Sequence, residues 1–102
     1  MRNFGCDPEF FIVGNSNSEG NDIIPPAALV ADRDFKIKGV TKNNKRILHK
    51  GRGFQFIEDG AASELNLLEP ISDSSQFYSL IDRALKEFNG YLQETAECSL
   101  IS

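Results

Sequence analysis

Gly5-Cys6-Asp7-Pro8-Glu9-Phe10-Phe11-Ile12-Val13 sets two carboxylates directly ahead of four large apolar residues. In an extended strand successive side chains alternate faces. Asp7, Glu9, Phe11 and Val13 therefore share one side, and Cys6, Pro8, Phe10 and Ile12 the other. Both faces read as buried toward the end of the stretch, so it is a strand of a sheet with a core behind it. Its beginning is different. Two like charges at i and i+2 beside a core are costly unless something positive lies between them, and a divalent cation is the simplest such group. Pro8 removes a ladder donor and points to an edge or irregular position.

A second acidic block lies downstream, Glu58-Asp59-Gly60-Ala61-Ala62-Ser63-Glu64-Leu65-Asn66. Residues 54–58 alternate, with Phe54 and Phe56 on one face, and 62–68 read as a strand closed by Pro70. Within that strand Glu64, Asn66 and Leu68 share a face, among neighbours apolar enough to imply a largely buried setting. Buried carboxylates persist when paired or metal-bound. Asp59 has the opposite parity to Glu64 in one regular strand, and a bulge at Gly60 would bring the two to the same side. The small residues 60–63 leave room for a ligand or for close packing.

Between the two blocks, residues 14–21 form a polar turn, and Pro25-Pro26 predicts an extended, non-helical path. Residues 27–31 are a short apolar run of either type, 32–34 a turn, and 35–40 a half-exposed strand. Residues 41–46 are a basic, Asn-rich turn, 47–49 a short strand and 51–53 a further turn. From Ser72 the period changes. Phe77, Leu80, Ile81, Ala84, Leu85, Phe88, Tyr91, Leu92 and Ala96 recur at three- and four-residue steps and predict one amphipathic helix over about 73–98. Ser72, Asp73 and Ser74 are all good N-caps, and Asp73 with Gln76 fits a capping box. Gly90 within this pattern allows a close contact or ends its first half. The expected architecture is α+β: a single domain over 1–102, with an antiparallel sheet of four to five strands over about 3–69 and one long C-terminal helix on one face.

Composition narrows the function classes. At 102 residues the chain is one domain at most, able to bury roughly 65% of its unfolded surface. Eight Phe against two Tyr and no Trp predict a phenylalanine-dominated core. A net charge of −4 argues against broad binding to nucleic acid or to an anionic membrane. Cys6 and Cys98 form no framework and read as free thiols in a reducing compartment, one disulfide between them being the alternative. With no leader-like or spanning apolar run, a cytoplasmic protein is expected. His49, the only histidine, has no matched acid or nucleophile in sequence and reads as structural. Lys42, Lys45, Arg46, Lys50 and Arg52 form a basic set, read as a solvated turn ahead of a phosphate contact. Ser63 and the cysteines have no His/Asp companions, and no GxxxxGK[ST] or GxGxxG phosphate loop is present.

Asp7-Pro8-Glu9-Phe10-Phe11, the block from Asp59 to Asn66 about fifty residues later, then Pro70 and a long helix resemble the N-terminal half of the phage-type COOH·NH2 ligases, which are similar to the glutamine synthetase and glutamate–cysteine ligase superfamily. The resemblance covers nearly the whole chain and rests on those two blocks. It implies ATP-dependent joining of a carboxylate to an amine through an acyl-phosphate, with Mg²⁺ or Mn²⁺ bridging ATP and substrate. It further implies Asp7 and Glu9 as metal ligands, Glu64 as a ligand of the metal or of the substrate amine, and Asp59 as a group behind them or on the substrate. Asp7 stands where glutamine synthetase-like enzymes usually carry Glu. Family members are more than twice as long, their later half supplying histidine- and arginine-containing segments. The chain is accordingly expected to be a partial ligase domain, completed by more sequence, a second polypeptide or a homo-oligomer. The alternatives are a non-catalytic binding or assembly module of the same fold, and a small α+β protein whose acids are ordinary surface residues.

Overall fold

Phe54, Phe56 and Leu65 sit at alternate positions of two runs separated by a glycine turn, so pairing those runs gathers their rings on one face. That hairpin is the middle of the sheet. The computed structural model describes residues 8–14 and 22–101. Its elements are β1 (Glu9–Gly14), α1 (Pro26–Ala31), β2 (Gly39–Val40), β3 (Arg46–Gly51), β4 (Phe54–Asp59), β5 (Ala62–Leu67), α2 (Ser74–Ala96) and β6 (Cys98–Ile101). The fold is α+β, an antiparallel six-stranded sheet in the order β2-β3-β4-β5-β1-β6 with the long helix on one face. β1 is thus inserted between β5 and β6, far from its neighbours in sequence.

The β4–β5 hairpin pairs Phe56 with Leu65, Glu58 with Ser63 and Asp59 with Ala62, leaving Gly60 and Ala61 as a two-residue turn. Gly60 at φ +62° supplies the left-handed first position of such a turn without steric cost. On the helix side, Phe10, Ile12, Leu48, Phe54, Phe56 and Leu65 meet Ala84, Phe88 and Leu92 of α2. The Phe56 and Phe88 rings lie 4.4 Å apart at the centre of that layer. Burying each such ring stabilises the fold by about 2–3 kcal/mol. The register of β3 against β4 shifts between Ile47 and His49, and the extra residue turns both Leu48 and His49 toward α2.

α2 begins where the N-cap chemistry puts it, with Asp73 Oδ1 accepting from the N–H of Ser75 (2.8 Å) and Gln76 (3.4 Å). It runs through Gly90 unbroken, and nothing lies within 4 Å of where a Cβ there would sit, so Gly90 neither ends the helix nor serves a close contact.

Three local expectations change. Pro25-Pro26 does not keep the chain extended: Pro25 is the extended N-cap and Pro26 opens α1, a position where its missing N–H is no loss. Only Gly39–Val40 of the run 35–40 is strand, and Phe35 is buried against Tyr91, 5.6 Å between rings. A sixth strand, β6, follows α2 and pairs with β1. Residues 1–7 and 15–21, including Asp7, Cys6 and most of the expected polar turn, lie outside the described residues. Cys98 is a free, buried thiol, raised from its usual range chiefly by that burial. Among the described residues no helix is long and apolar enough to cross a membrane.

Candidate metal centre

The sheet face turned away from α2 collects the acids. Directly opposed residues of an antiparallel pair point to the same side, so Asp59 shares its side with Ala62, and Glu64 follows two residues on. Across the other edge of β5, Glu9 is paired with Glu64. Three neighbouring strands, β4, β5 and β1, therefore each contribute one carboxylate. One oxygen from each of Glu9, Asp59 and Glu64 lies within 4.8 Å of the others. Ala62, opposite Asp59, adds only a methyl group to this face. No bulge is needed to align Asp59 with Glu64, because the two stand on different strands of a hairpin.

Two further side chains hold the acids. Lys45, entering β3 from its turn, places Nζ 3.2 Å from Asp59 Oδ1. Asn66, two residues beyond Glu64 on the same face, donates from Nδ2 to Glu64 Oε2 at 2.6 Å. Glu9 is exposed and the other two acids are half-buried. The Glu9 carboxyl is held above the ordinary glutamate range, first by its hydrogen bond to Asp59, then by the charges of Asp59 and Glu64, with Lys45 opposing. Asp59 is held below its ordinary range, first by the hydrogen bond from Glu9 and then by Lys45. The two directions belong to one interacting pair: as pH falls Glu9 takes up a proton before Asp59 does, and the protonated Glu9 can donate to Asp59.

Sequence parity puts Asn66 beside Glu64, and the structure uses that placement. The role of Lys45 is missed when the basic turn is read alone. It is legible only when 45–46 is laid against 58–59 across the hairpin, lysine and arginine facing aspartate and glutamate. Arg46 indeed grips Glu58, with Nε to Oε1 and Nη2 to Oε2 both 2.8 Å. That grip holds Glu58 below the ordinary glutamate range, and its pairing with Ser63 puts it on the opposite face from Asp59.

His49 lies on the opposite side of the sheet. It is buried, stacked on Phe88 at 5.4 Å, and its Nε2 donates to Glu87 Oε2 at 2.7 Å. Ser63 faces the helix side with its hydroxyl buried and unpartnered among the described residues. Neither reaches the acids. No protein-family model matches the chain, and no curated protein or solved structure matches it.

Proposed function

We propose that Glu9, Asp59 and Glu64 bind one divalent cation, Mg²⁺ or Mn²⁺, and that the chain is the metal-binding part of an ATP-dependent carboxylate–amine ligase acting through an acyl-phosphate. The observation that carries the reading is the convergence of three carboxylates from three strands within 4.8 Å. Oxygens bound to a common Mg²⁺ at about 2.1 Å stand roughly 3.0 Å apart when adjacent and 4.2 Å when opposite. From the 4.8 Å limit, closure onto one ion takes about 0.6 Å for an opposite pair and at most about 1.8 Å for an adjacent one, movements that side-chain rotation supplies. Three acids facing one lysine leave a negative excess that a divalent ion neutralises. Oxygen-only donors suit a hard cation.

The ligase half of the reading rests on the resemblance of the two acidic blocks. Glu9, Asp59 and Glu64 hold the cation, and the resemblance adds Asp7 to that set. Asp59, positioned by Lys45, and Glu64 face the reacting groups, and Asn66 fixes the Glu64 carboxylate. When bound, the cation supplies charge neutralisation to phosphoryl oxygens of ATP. Nucleotide and amine contacts come from more chain, a second polypeptide or a second copy. A reducing cytoplasm fits the free Cys98 thiol.

Titration of Mn²⁺ into the protein, followed by paramagnetic broadening of backbone amides, tests the site. Broadening should centre on Glu9, Asp59, Glu64 and Asn66 and disappear in Glu64→Gln. Equal broadening in wild type and Glu64→Gln sinks the metal centre. Addition of ATP with Mg²⁺ tests the ligase reading: tighter metal binding with ATP than without supports it. A metal site indifferent to ATP favours the non-catalytic binding or assembly module.

A further inference from the structure

The far end of β4 carries a second constellation, on the helix side and about 17 Å along the strand from Asp59 at 3.3–3.4 Å per residue. Here the Arg52–Gly53 turn, the segment 69–71 and the first turns of α2 enclose a groove of about 390 Å³. Arg52, Arg83, Glu69, Ile71, Gln76 and Leu80 line it. Arg83 is held in place from two sides. Its Nη2 donates to the Arg52 carbonyl at 3.2 Å, and its guanidinium lies 6.0 Å over the ring of the buried Phe54. That leaves most of its donor fork unused and already oriented. The Arg52 guanidinium has no partner among the described residues.

We infer that this groove is a binding site for an aliphatic carboxylate, its acid group taken by the forks of Arg83 and Arg52 and its hydrocarbon by Ile71 and Leu80. Three features select that chemistry. A guanidinium matches a planar carboxylate bidentately, and the charge-assisted bonds are stronger than neutral ones. The aliphatic wall distinguishes an organic acid from inorganic phosphate. Glu69 on the rim disfavours a doubly charged anion and offers a partner to an ammonium or an amide N–H. The helix N-terminus is not the anion site, because Asp73 already occupies the N–H groups of Ser75 and Gln76. Two sources present this ligand, a free amino acid with a branched side chain and the C-terminus of a peptide ending in one. The site is remote from the acid cluster and stands whether or not that cluster binds metal.

The test titrates leucine, N-acetyl-leucine, isoamyl alcohol and inorganic phosphate, each to about 20 mM, the range set by millimolar affinities, while amide shifts are followed by NMR. Leucine or N-acetyl-leucine should move the amides of Gly53, Ile71 and Leu80, and neither the alcohol nor phosphate should. Arg83→Gln, at an exposed position, should weaken the response at least about tenfold, as loss of a charge-assisted pair implies. Arg52→Gln should weaken it less. Leucine binding tighter than N-acetyl-leucine identifies the free amino acid, with Glu69 holding its ammonium; the reverse order identifies a peptide terminus. No shift with either acid, an equal shift with phosphate or the alcohol, or an unchanged response in Arg83→Gln overturns the assignment.

Discussion

Gly51 shows how a single absent side chain sets the docking of α2. A Cβ there would run into the Phe54 ring and come 2.6 Å from Glu87 Oε2, the atom that accepts from His49. Glu87 can swing aside, but Phe54 is fully buried and cannot. Gly51→Ala should therefore cost about 1–3 kcal/mol, the range for overpacking, read from denaturant melts. His49→Ala should cost about 2–3 kcal/mol by emptying the space between Phe54, Phe88 and Tyr91. An unchanged midpoint in both variants would show that the His49–Glu87 contact is incidental to packing. Glu9 sends a different signal, because its carboxyl is raised rather than lowered in the fold. A raised carboxyl contributes stability that is present below the ordinary glutamate range and lost as pH rises through its folded value. Glu9→Gln should therefore raise the melting temperature of the metal-free protein near neutral pH and leave it nearly unchanged under acid conditions. The same substitution should abolish the stabilisation that Mn²⁺ gives the wild type. A Glu9→Gln protein less stable than wild type at neutral pH without metal would contradict this account of the Glu9–Asp59 pair.

At the scale of elements, α2 was legible almost to the residue, from Asp73 at its cap through the stripe of Phe77, Ala84, Phe88 and Leu92. Its end was not, because the residue that stops it carries no glycine signal. Glu97 adopts the left-handed conformation, φ +53°, and its N–H reaches back to the Leu92 carbonyl. A Cβ in that region is unfavourable, and glycine is not so penalised. Glu97→Gly should thus stabilise the fold by up to about 1 kcal/mol, net of the extra freedom glycine gives the unfolded chain. A melting temperature lowered by this substitution would mean that the Glu97 side chain is itself holding the turn into β6. The misread stretches have the same origin in tertiary context. Pro26 starts a helix because Leu29 finds a place in the core, and 35–37 leave the sheet because Phe35 packs on Tyr91. Neither contact is visible to a local pattern.

For the whole molecule, the acids on Glu9, Asp59 and Glu64 could be named in sequence as residues on sheet-forming segments. Their meeting could not, because it depends on β1 crossing the fold to lie between β5 and β6. That insertion also makes the proposed metal site sensitive to a strand that contributes no ligand. β1 pairs with β5 through Glu9 and Phe10, the Pro8 carbonyl accepting from the Leu65 N–H at 2.9 Å, whereas Phe11, Ile12, Val13 and Gly14 pair with β6. The 23–24 segment adds a bridge to Val13 and one hydrogen bond to the Ile12 carbonyl. β6 is in turn fastened to α2, Asn89 Oδ1 accepting from the Leu100 N–H at 2.9 Å. Deleting 98–102 should therefore loosen β1 while leaving β3, β4, β5 and most of α2 in place, since their packing runs through Phe54, Phe56 and Phe88. Hydrogen exchange should show protection falling at Phe10 and Ile12 and persisting at Phe56 and Leu65. Mn²⁺ affinity should drop to that of Glu9→Gln, because Asp59 and Glu64 remain on their hairpin and only the third carboxylate has lost its position. Full affinity retained after the deletion would place the work of holding Glu9 on β5 alone.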